Sequence, residues 1–558
     1  MMRQARALRT STAMLVHGLT DTAGRPAVRV PTGTSTRAGP GPRRNRPGVP
    51  DLRGLVLRRL SAAAPLTAVL VLAGLMRFWA LGATGFNSDE AVYTGTAASL
   101  AGDPTLQQFF PVFRAHPLLL ATVLSGLLGR GIDDFSARAV TAAIGVACVA
   151  LTYLLAKRLY GRGAGLAAAL LLAVMPYHVI VSRQVLLDGL LTLCATGVLY
   201  CVVRYVESTS LPWLLAAGAA MGATVLAKET GMVFLGALYG FFALTKGVPV
   251  RLRHLVYALA TMTAVAAAFP LAVYLAGSHR TGQNYVLWQL FRRANHHPWF
   301  YLVNVPGAVG WAVLVAAAAG LVWLRRQGTW REPLLLWWIA VPVLFFDLWP
   351  VKGYQYLLPI APVLAVLAGR TLAAVAGLRL PGRWPAHAAS VVSVGLCLAV
   401  AASLAGPAAA RIDPAPTGKL LAGTGGLPGG REAGLWVRTH VPQGARMLAA
   451  GPSLANVLQF YGHRQVSALS VTGGALYHNP AYQPVRNPDR ALRTGQYQYV
   501  VWDSYTAARS SFYGDKARDL AAKYHGITVY TGVENVRTGP GGAHADRKTI
   551  VIYKVRAS

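Results

Sequence analysis

The chain has 558 residues, of which 54% are hydrophobic and 13% charged, against roughly 25% charged in a soluble globular domain. Mean hydropathy is +0.41. These values exclude a disordered chain, a coiled coil and an ordinary cytosolic enzyme, and they point to a multi-spanning membrane protein. The net charge of +33 fits arginines in membrane-flanking loops, a basic N-terminal arm and a C-terminal polar region. No zinc-finger spacing and no basic helix interleaved with stacking aromatics is present, so nucleic acid is not expected as a partner.

Residues 1–57 are rich in Arg, Pro and Gly and poor in large apolar side chains, which predicts a disordered basic cytoplasmic arm. Met14–Leu19 is too brief for the apolar core of a cleaved signal peptide. The first long apolar run, 61–81, is therefore an uncleaved helix. Arg58 and Arg59 before it place the N-terminus inside. A span needs roughly 20 apolar residues. Further candidates follow at 136–156, 163–181, 185–205, 212–227, 231–245, 255–277, 302–324, 333–349, 354–376 and 388–409, which makes about eleven spans within 58–410. A twelfth candidate, 118–128, is shorter. If it crossed, the basic clusters Lys157/Arg158/Arg162, Lys246/Arg251/Arg253, Arg325/Arg326/Arg331 and Arg379/Arg383 would all move outside. It is therefore read as an interfacial or re-entrant helix on the outer side. Arg292 and Arg293, in the outer loop 278–301, are the exception to the charge bias.

An odd number of spans leaves the C-terminus outside. A Gly/Pro-rich linker, 411–430, leads to a polar region, 431–558. There Glu432–His440, Leu454–Tyr461 and Lys516–Tyr524 read as helices, and Arg446–Ala450, Tyr499–Trp502, Ile527–Tyr530 and Thr549–Tyr553 as strands. This predicts a small extracytoplasmic α/β domain. The four cysteines, Cys148, Cys194, Cys201 and Cys397, all lie in apolar runs and read as small core residues.

Conspicuous polar residues collect on the outer side. They are Asp89, Glu90, Arg114 and His116 in the first outer loop, Arg183 and Asp188 in the next turn, Lys228 and Glu229 in the third, and Asp347, Lys352, Tyr354 and Tyr356 in the fourth. Charges at membrane depth are usually functional. Carboxylates and cations converging on one face suit a phosphate-linked lipid donor. Cations hold the leaving phosphate as charge builds on it, and a carboxylate accepts the proton of an incoming hydroxyl. The carboxylates alone specify no metal, so a divalent ion stays open and its ligands unassigned.

The run Phe86-Asn-Ser-Asp-Glu-Ala-Val-Tyr93, followed by His116-Pro-Leu-Leu119, resembles the first outer loop of the dolichyl-phosphate-mannose protein mannosyltransferase superfamily, which includes bacterial aminoarabinose transferases. Ala137-Arg138, Leu154–Gly161, Met175-Pro176, Ser182-Arg183, Leu187-Asp188, Leu226-Ala-Lys-Glu229 and Tyr356-Leu-Leu-Pro-Ile-Ala-Pro362 follow in the family's order. The resemblance implies a GT-C fold, a polyprenyl-phosphate sugar donor, an extracytoplasmic acceptor and inversion at the anomeric carbon. It implies Asp89 as catalytic base with Glu90 beside it, Asp188 as a second acidic site residue, and Lys228 as a lipid-phosphate contact. His116 occupies a position where relatives carry a basic or polar residue. Arg183, Lys352 and Tyr356 complete the candidate substrate-binding set. Gln355 stands where many relatives have Arg, and Lys352 is the candidate substitute. Leu118 replaces the second Pro of a His-Pro-Pro pattern.

Each residue also has a plainer reading. Asp89 could cap the following helix and Glu90 could complement its dipole. Arg183 could pair with Asp188, and Lys228 with Glu229. Tyr354 and Tyr356 suit an interfacial aromatic belt. Two rival functions remain open: a lipid-linked-sugar transporter, and a non-catalytic scaffold for cell-envelope assembly.

Overall fold

A computed structural model describes residues 52–113, 115–277, 288–289, 291–327, 329–377, 385, 387–412, 427–471, 479, 481–538 and 543–556. The expected arm falls mostly on 1–51, and most of the expected linker on 413–426, outside the described residues. Arg114 is outside them as well.

The first part of the chain is a bundle of apolar helices. Among the described residues five are long and apolar enough to cross a membrane: Asp134–Tyr160, Leu187–Ser208, Leu252–Leu275, Tyr354–Gly377 and Ala388–Ile412. Two bent pairs bring the count to as many as seven. These are Arg162–Val174 with Pro176–Ser182, bent by 60°, and Phe300–Val309 with Trp311–Val322, bent by 95°. The other expected spans fall on shorter or more charged helices: Ala63–Phe78, Leu211–Ala227, Glu229–Leu244 and Arg331–Leu348. The helix at the twelfth candidate, Leu119–Leu128, has 10 residues. At 1.5 Å per residue it reaches about 15 Å, half of a hydrocarbon core.

Close helix contact rests on small residues, as membrane packing requires. A Cβ on Gly369 would lie 2.7 Å from Ala164 O, and one on Gly222 would lie 2.7 Å from the Val265 Cβ.

The 60° bend follows from Pro176, which cannot donate to the helix ladder. Arg77, fully buried, meets two of the carbonyls left at the end of the preceding helix. Its Nη1 donates to Ala173 O at 2.9 Å and its Nη2 to Leu172 O at 3.3 Å, with His178 Nδ1 2.7 Å from Nη2. Lipid offers no partner for free carbonyls, so an internal donor has to.

The C-terminal region is an α/β domain. Its strands are β1 (Arg446–Ala449), β2 (Gln465–Ala468), β3 (Tyr499–Asp503), β4 (Ile527–Thr538) and β5 (Ala543–Lys554), in the order β2-β1-β3-β5-β4. The first three are parallel, and β5 runs antiparallel to both β3 and β4. Helices Gly430–His440, Pro452–Gly462 and Ser511–Lys523 accompany the sheet. Strand β2 is not among the elements expected from the sequence. Gln-Val-Ser-Ala alternates polar and apolar, but with one β-branched residue and no aromatic it lacks the strand-forming composition of β3, β4 and β5. The described cysteines form no disulfide, and Cys148 is buried.

The α/β domain packs on the loop before helix Ser88–Leu100 and on that helix. Helix Pro452–Gly462 lies against helix Ser88–Leu100. The Phe86 ring sits 5.2 Å from Phe460 and 6.1 Å from Tyr461.

Candidate active site

The site is built on the start of helix Ser88–Leu100. Asn87 is the N-cap. Its Oδ1 accepts from the backbone N–H of Asp89 (2.9 Å) and Glu90 (3.0 Å), and Glu90 Oε2 accepts in return from Asn87 N–H at 3.0 Å. This reciprocal capping box fixes the first turn, so capping belongs to Asn87 and leaves the Asp89 carboxylate free to face elsewhere.

The two adjacent acids part company. Glu90 is fully buried. Arg138 Nε donates to its Oε1 and Nη2 to its Oε2, both at 2.7 Å, and Val185 N–H donates to Oε1 at 3.1 Å. Arg138 also donates to Leu81 O, Thr84 O and Gly85 O. Glu90 therefore holds the loop in place and has no route to a substrate. Removing one partner of such a pair strands a buried charge. Arg138→Met is expected to lower stability by about 3–5 kcal/mol, read as a fall in the thermal midpoint of the detergent-solubilised protein.

Asp89 is exposed at the first turn of its helix, with protein packed beside it. Loss of solvation raises its carboxyl above the ordinary 3.8. His116, Lys228 and Arg292 pull it back down without cancelling the rise, and Glu90 adds to it.

Within electrostatic reach of Asp89, Asp188 opens helix Leu187–Ser208 and Lys228 ends helix Leu211–Ala227. Both are buried. Lys228 Nζ donates to Asp188 Oδ1 at 2.9 Å and to Oδ2 at 3.0 Å, and it lies 4.2 Å from the Tyr356 ring centre. Glu229, next in sequence, turns the other way and meets His116 Nδ1 at 3.0 Å. His116 packs edge-on against Tyr93 at 5.8 Å. Asp89 and Asp188 lie within electrostatic reach of one another. Beside them a small open groove is lined by Val92, Tyr93, Thr96, His116, Leu118 and Leu187.

Two candidates are engaged elsewhere. Arg183 caps helix Pro176–Ser182 and donates to Met76 O and Arg77 O at 3.2 and 3.0 Å, so it does not pair with Asp188. Lys352 is buried, and its Nζ donates to Phe346 O and Asp347 O at the end of helix Arg331–Leu348. Among the described residues no group of three His, Cys, Asp or Glu side chains is arranged to hold a metal ion.

The family model for dolichyl-phosphate-mannose-protein mannosyltransferase matches residues 115–274. An undecaprenyl phosphate-alpha-4-amino-4-deoxy-L-arabinose arabinosyl transferase of Pectobacterium carotovorum is 29% identical over 206 residues, 34% of this chain and 36% of that protein. One from Sodalis glossinidius is 33% identical over 159 residues, 27% of this chain and 28% of that protein. The chain thus aligns with about a third of the length of these relatives. Among solved structures, apo ArnT from Cupriavidus metallidurans superposes with a TM-score of 0.62 at 15% identity, covering 88% of this chain and 98% of that one. The chain has the GT-C fold. The oligosaccharyltransferase of Archaeoglobus fulgidus is more distant, with a TM-score of 0.52 at 14% identity, covering 88% of this chain and 75% of that one.

The shared fold is a multi-helix bundle of apolar helices that carries a C-terminal α/β domain. Within this GT-C site, sequence reasoning missed Arg292 and Arg138. Arg292 is half-buried, within electrostatic reach of Asp89 and Tyr356, and 4.5 Å from the Trp288 ring centre. The signal was present, because Arg292 breaks the inside bias of the other basic clusters. Arg138 stood in a quoted motif, but nothing in its position announced Glu90 as its partner.

Proposed function

We propose that the chain is an inverting glycosyltransferase. It moves a sugar from a polyprenyl-phosphate donor to a hydroxyl of an extracytoplasmic acceptor, which is a protein, a cell-wall glycan or a lipid. The observation that carries this reading is the contrast between two adjacent acids: Glu90 is sealed under Arg138, while Asp89 is exposed within electrostatic reach of Lys228, Arg292 and His116.

Asp89 accepts the acceptor's proton as the hydroxyl oxygen attacks the anomeric carbon from the face opposite the phosphate. The bond from that carbon to the phosphate oxygen breaks, and its electron pair leaves with the phosphate. Lys228 and Arg292 stabilise the charge gathering there. Asp188 orients Lys228 through the two-oxygen contact. Tyr356 supplies the ring beneath the ammonium, and His116, held by Glu229, borders the apolar groove. Arg183 and Lys352 fix the helix ends around the site, and Glu90 fixes the loop that carries Asp89.

The reading includes eleven spans, with Leu119–Leu128 lying at the outer interface. It also divides the chain into a cytoplasmic arm at 1–57, a transmembrane catalytic domain at 58–410, a linker at 411–430 and an outer domain at 431–558.

The test offers purified protein in nanodiscs radiolabelled polyprenyl-phosphate sugars of the mannose, glucose and arabinose types, with a cell-envelope extract as acceptor. Label reaching an acceptor supports the reading, and donor that neither binds nor reacts overturns it. Arg292→Gln is expected to raise the donor KM and lower kcat together, by about tenfold or more in kcat/KM, if its charge meets the phosphate. An unchanged donor KM would remove Arg292 from the site.

A further inference from the structure

We propose that the outer domain completes the active site, with Tyr461 as the residue that positions the loop carrying Asp89. The inference rests on the glycosyltransferase reading and extends it to residues that no motif of that reading contains.

Residues 79–87 are irregular backbone between two helices, and such a segment keeps one geometry when its polar groups have fixed partners. The outer domain supplies several. Phe86 N–H donates to Tyr461 Oη at 2.7 Å, and Tyr461 Oη donates in turn to Asp134 Oδ1 at 2.7 Å. The hydroxyl thus gives its one proton and accepts another, in a buried setting where each bond counts for more than in water. Arg431 Nη1 meets Asp134 Oδ2 at 3.1 Å and donates to Gly82 O at 2.9 Å, while its Nη2 donates to Ala83 O at 3.0 Å. Asn456 Nδ2 donates to Ser88 Oγ at 3.0 Å. The loop is therefore gripped on two sides. From the bundle, Arg138 holds the carbonyls of Leu81, Thr84 and Gly85. From the outer domain, side chains hold Gly82, Ala83, Phe86 and Ser88. Asp89 is the next residue, and its carboxylate inherits that geometry.

A domain docked merely for stability would not need to place hydrogen bonds at four positions within the eight residues before the base. General-base transfer is sensitive to placement, and a shift of about 1 Å can cost 10²-fold.

Tyr461→Phe in the full chain removes the hydroxyl and keeps the ring against Phe86. The expected result is a kcat lower by about tenfold to a hundredfold, with the donor KM within about twofold of the native value. Hydrogen exchange is expected to rise in peptides covering 79–93 and to stay unchanged in the bundle helices. Asp134→Asn keeps an acceptor for the hydroxyl but turns an amide N–H toward Arg431, so its kcat is expected to fall between those of the native protein and Asp134→Ala. Asp134→Ala frees both Tyr461 and Arg431 and is expected to cost at least as much as Tyr461→Phe, and the two together no more than Asp134→Ala alone.

Native kcat per folded molecule in Tyr461→Phe overturns the proposal. So does an effect confined to acceptor KM, which would make the outer domain an acceptor platform alone. If the native protein transfers no sugar, the glycosyltransferase reading fails. The exchange measurement then still decides the brace, and unchanged exchange over 79–93 overturns it.

Discussion

Asp89→Asn is expected to lower transfer by about 10³-fold or more, since a positioned general base contributes about 10²–10⁴-fold, while the protein stays folded. The expectation of retained folding rests on what Asp89 does not do. It is not the helix cap, because Asn87 is, and it is in none of the buried ion pairs around it. Glu90→Gln is expected to behave oppositely, with a clear loss of thermal stability from the exposed need of Arg138 for a partner. The native pH profile gives a second check. The base works only when deprotonated, and loss of solvation raises its carboxyl above 3.8. Activity is therefore expected to fall on the acid side at a higher pH than for an ordinary aspartate, and to recover as the pH rises through that value. Neutralising His116 by His116→Gln removes one of the cations that hold the carboxyl down, so the acid limb is expected to move further up. An acid limb unmoved by that change, or Asp89→Asn with near-native kcat, would remove Asp89 from the chemistry.

Loop charge led to the expectation that the conspicuous polar residues share one face, and Asp89, His116, Asp188 and Lys228 do lie within electrostatic reach of one another. Pairing was not readable. Lys228 and Glu229 are neighbours in sequence, yet at the junction of helix Leu211–Ala227 and the short 3-10 helix Glu229–Met232 their side chains diverge. One goes to Asp188, 40 positions earlier, and the other to His116, 113 positions earlier. Arg183 is five positions from Asp188, but it closes a short helix whose end faces the carbonyls of Met76 and Arg77. Arg77 was passed over as part of an apolar run. Its role depends on the Pro176 break, which is a feature of another helix. The grip of the outer domain was likewise invisible, since Tyr461 and Phe86 are 375 positions apart.

The pair Asp188–Lys228 is where structure and chemistry are hardest to separate, and a double substitution separates them. Lys228→Met leaves Asp188 buried and charged without a partner, so a stability loss of about 3–5 kcal/mol is expected along with the loss of transfer. Lost activity in that variant alone would say nothing about phosphate. Combining Lys228→Met with Asp188→Asn removes both charges, and thermal stability is expected to return most of the way, because a neutral pair of similar volume is well tolerated in a buried site. Transfer is expected to stay low by about 10²-fold or more, because the cation that meets the developing phosphate charge is still missing. Recovery of both stability and kcat in the double variant would make the pair a strut between two helices and nothing more. Recovery of stability alone assigns the ammonium to the reaction. High salt is expected to change neither result much, since the two side chains are buried and bulk ions screen such pairs poorly. The same salt series should weaken the contribution of half-buried Arg292, and that difference would divide the two cations into a fixed one and a solvent-facing one.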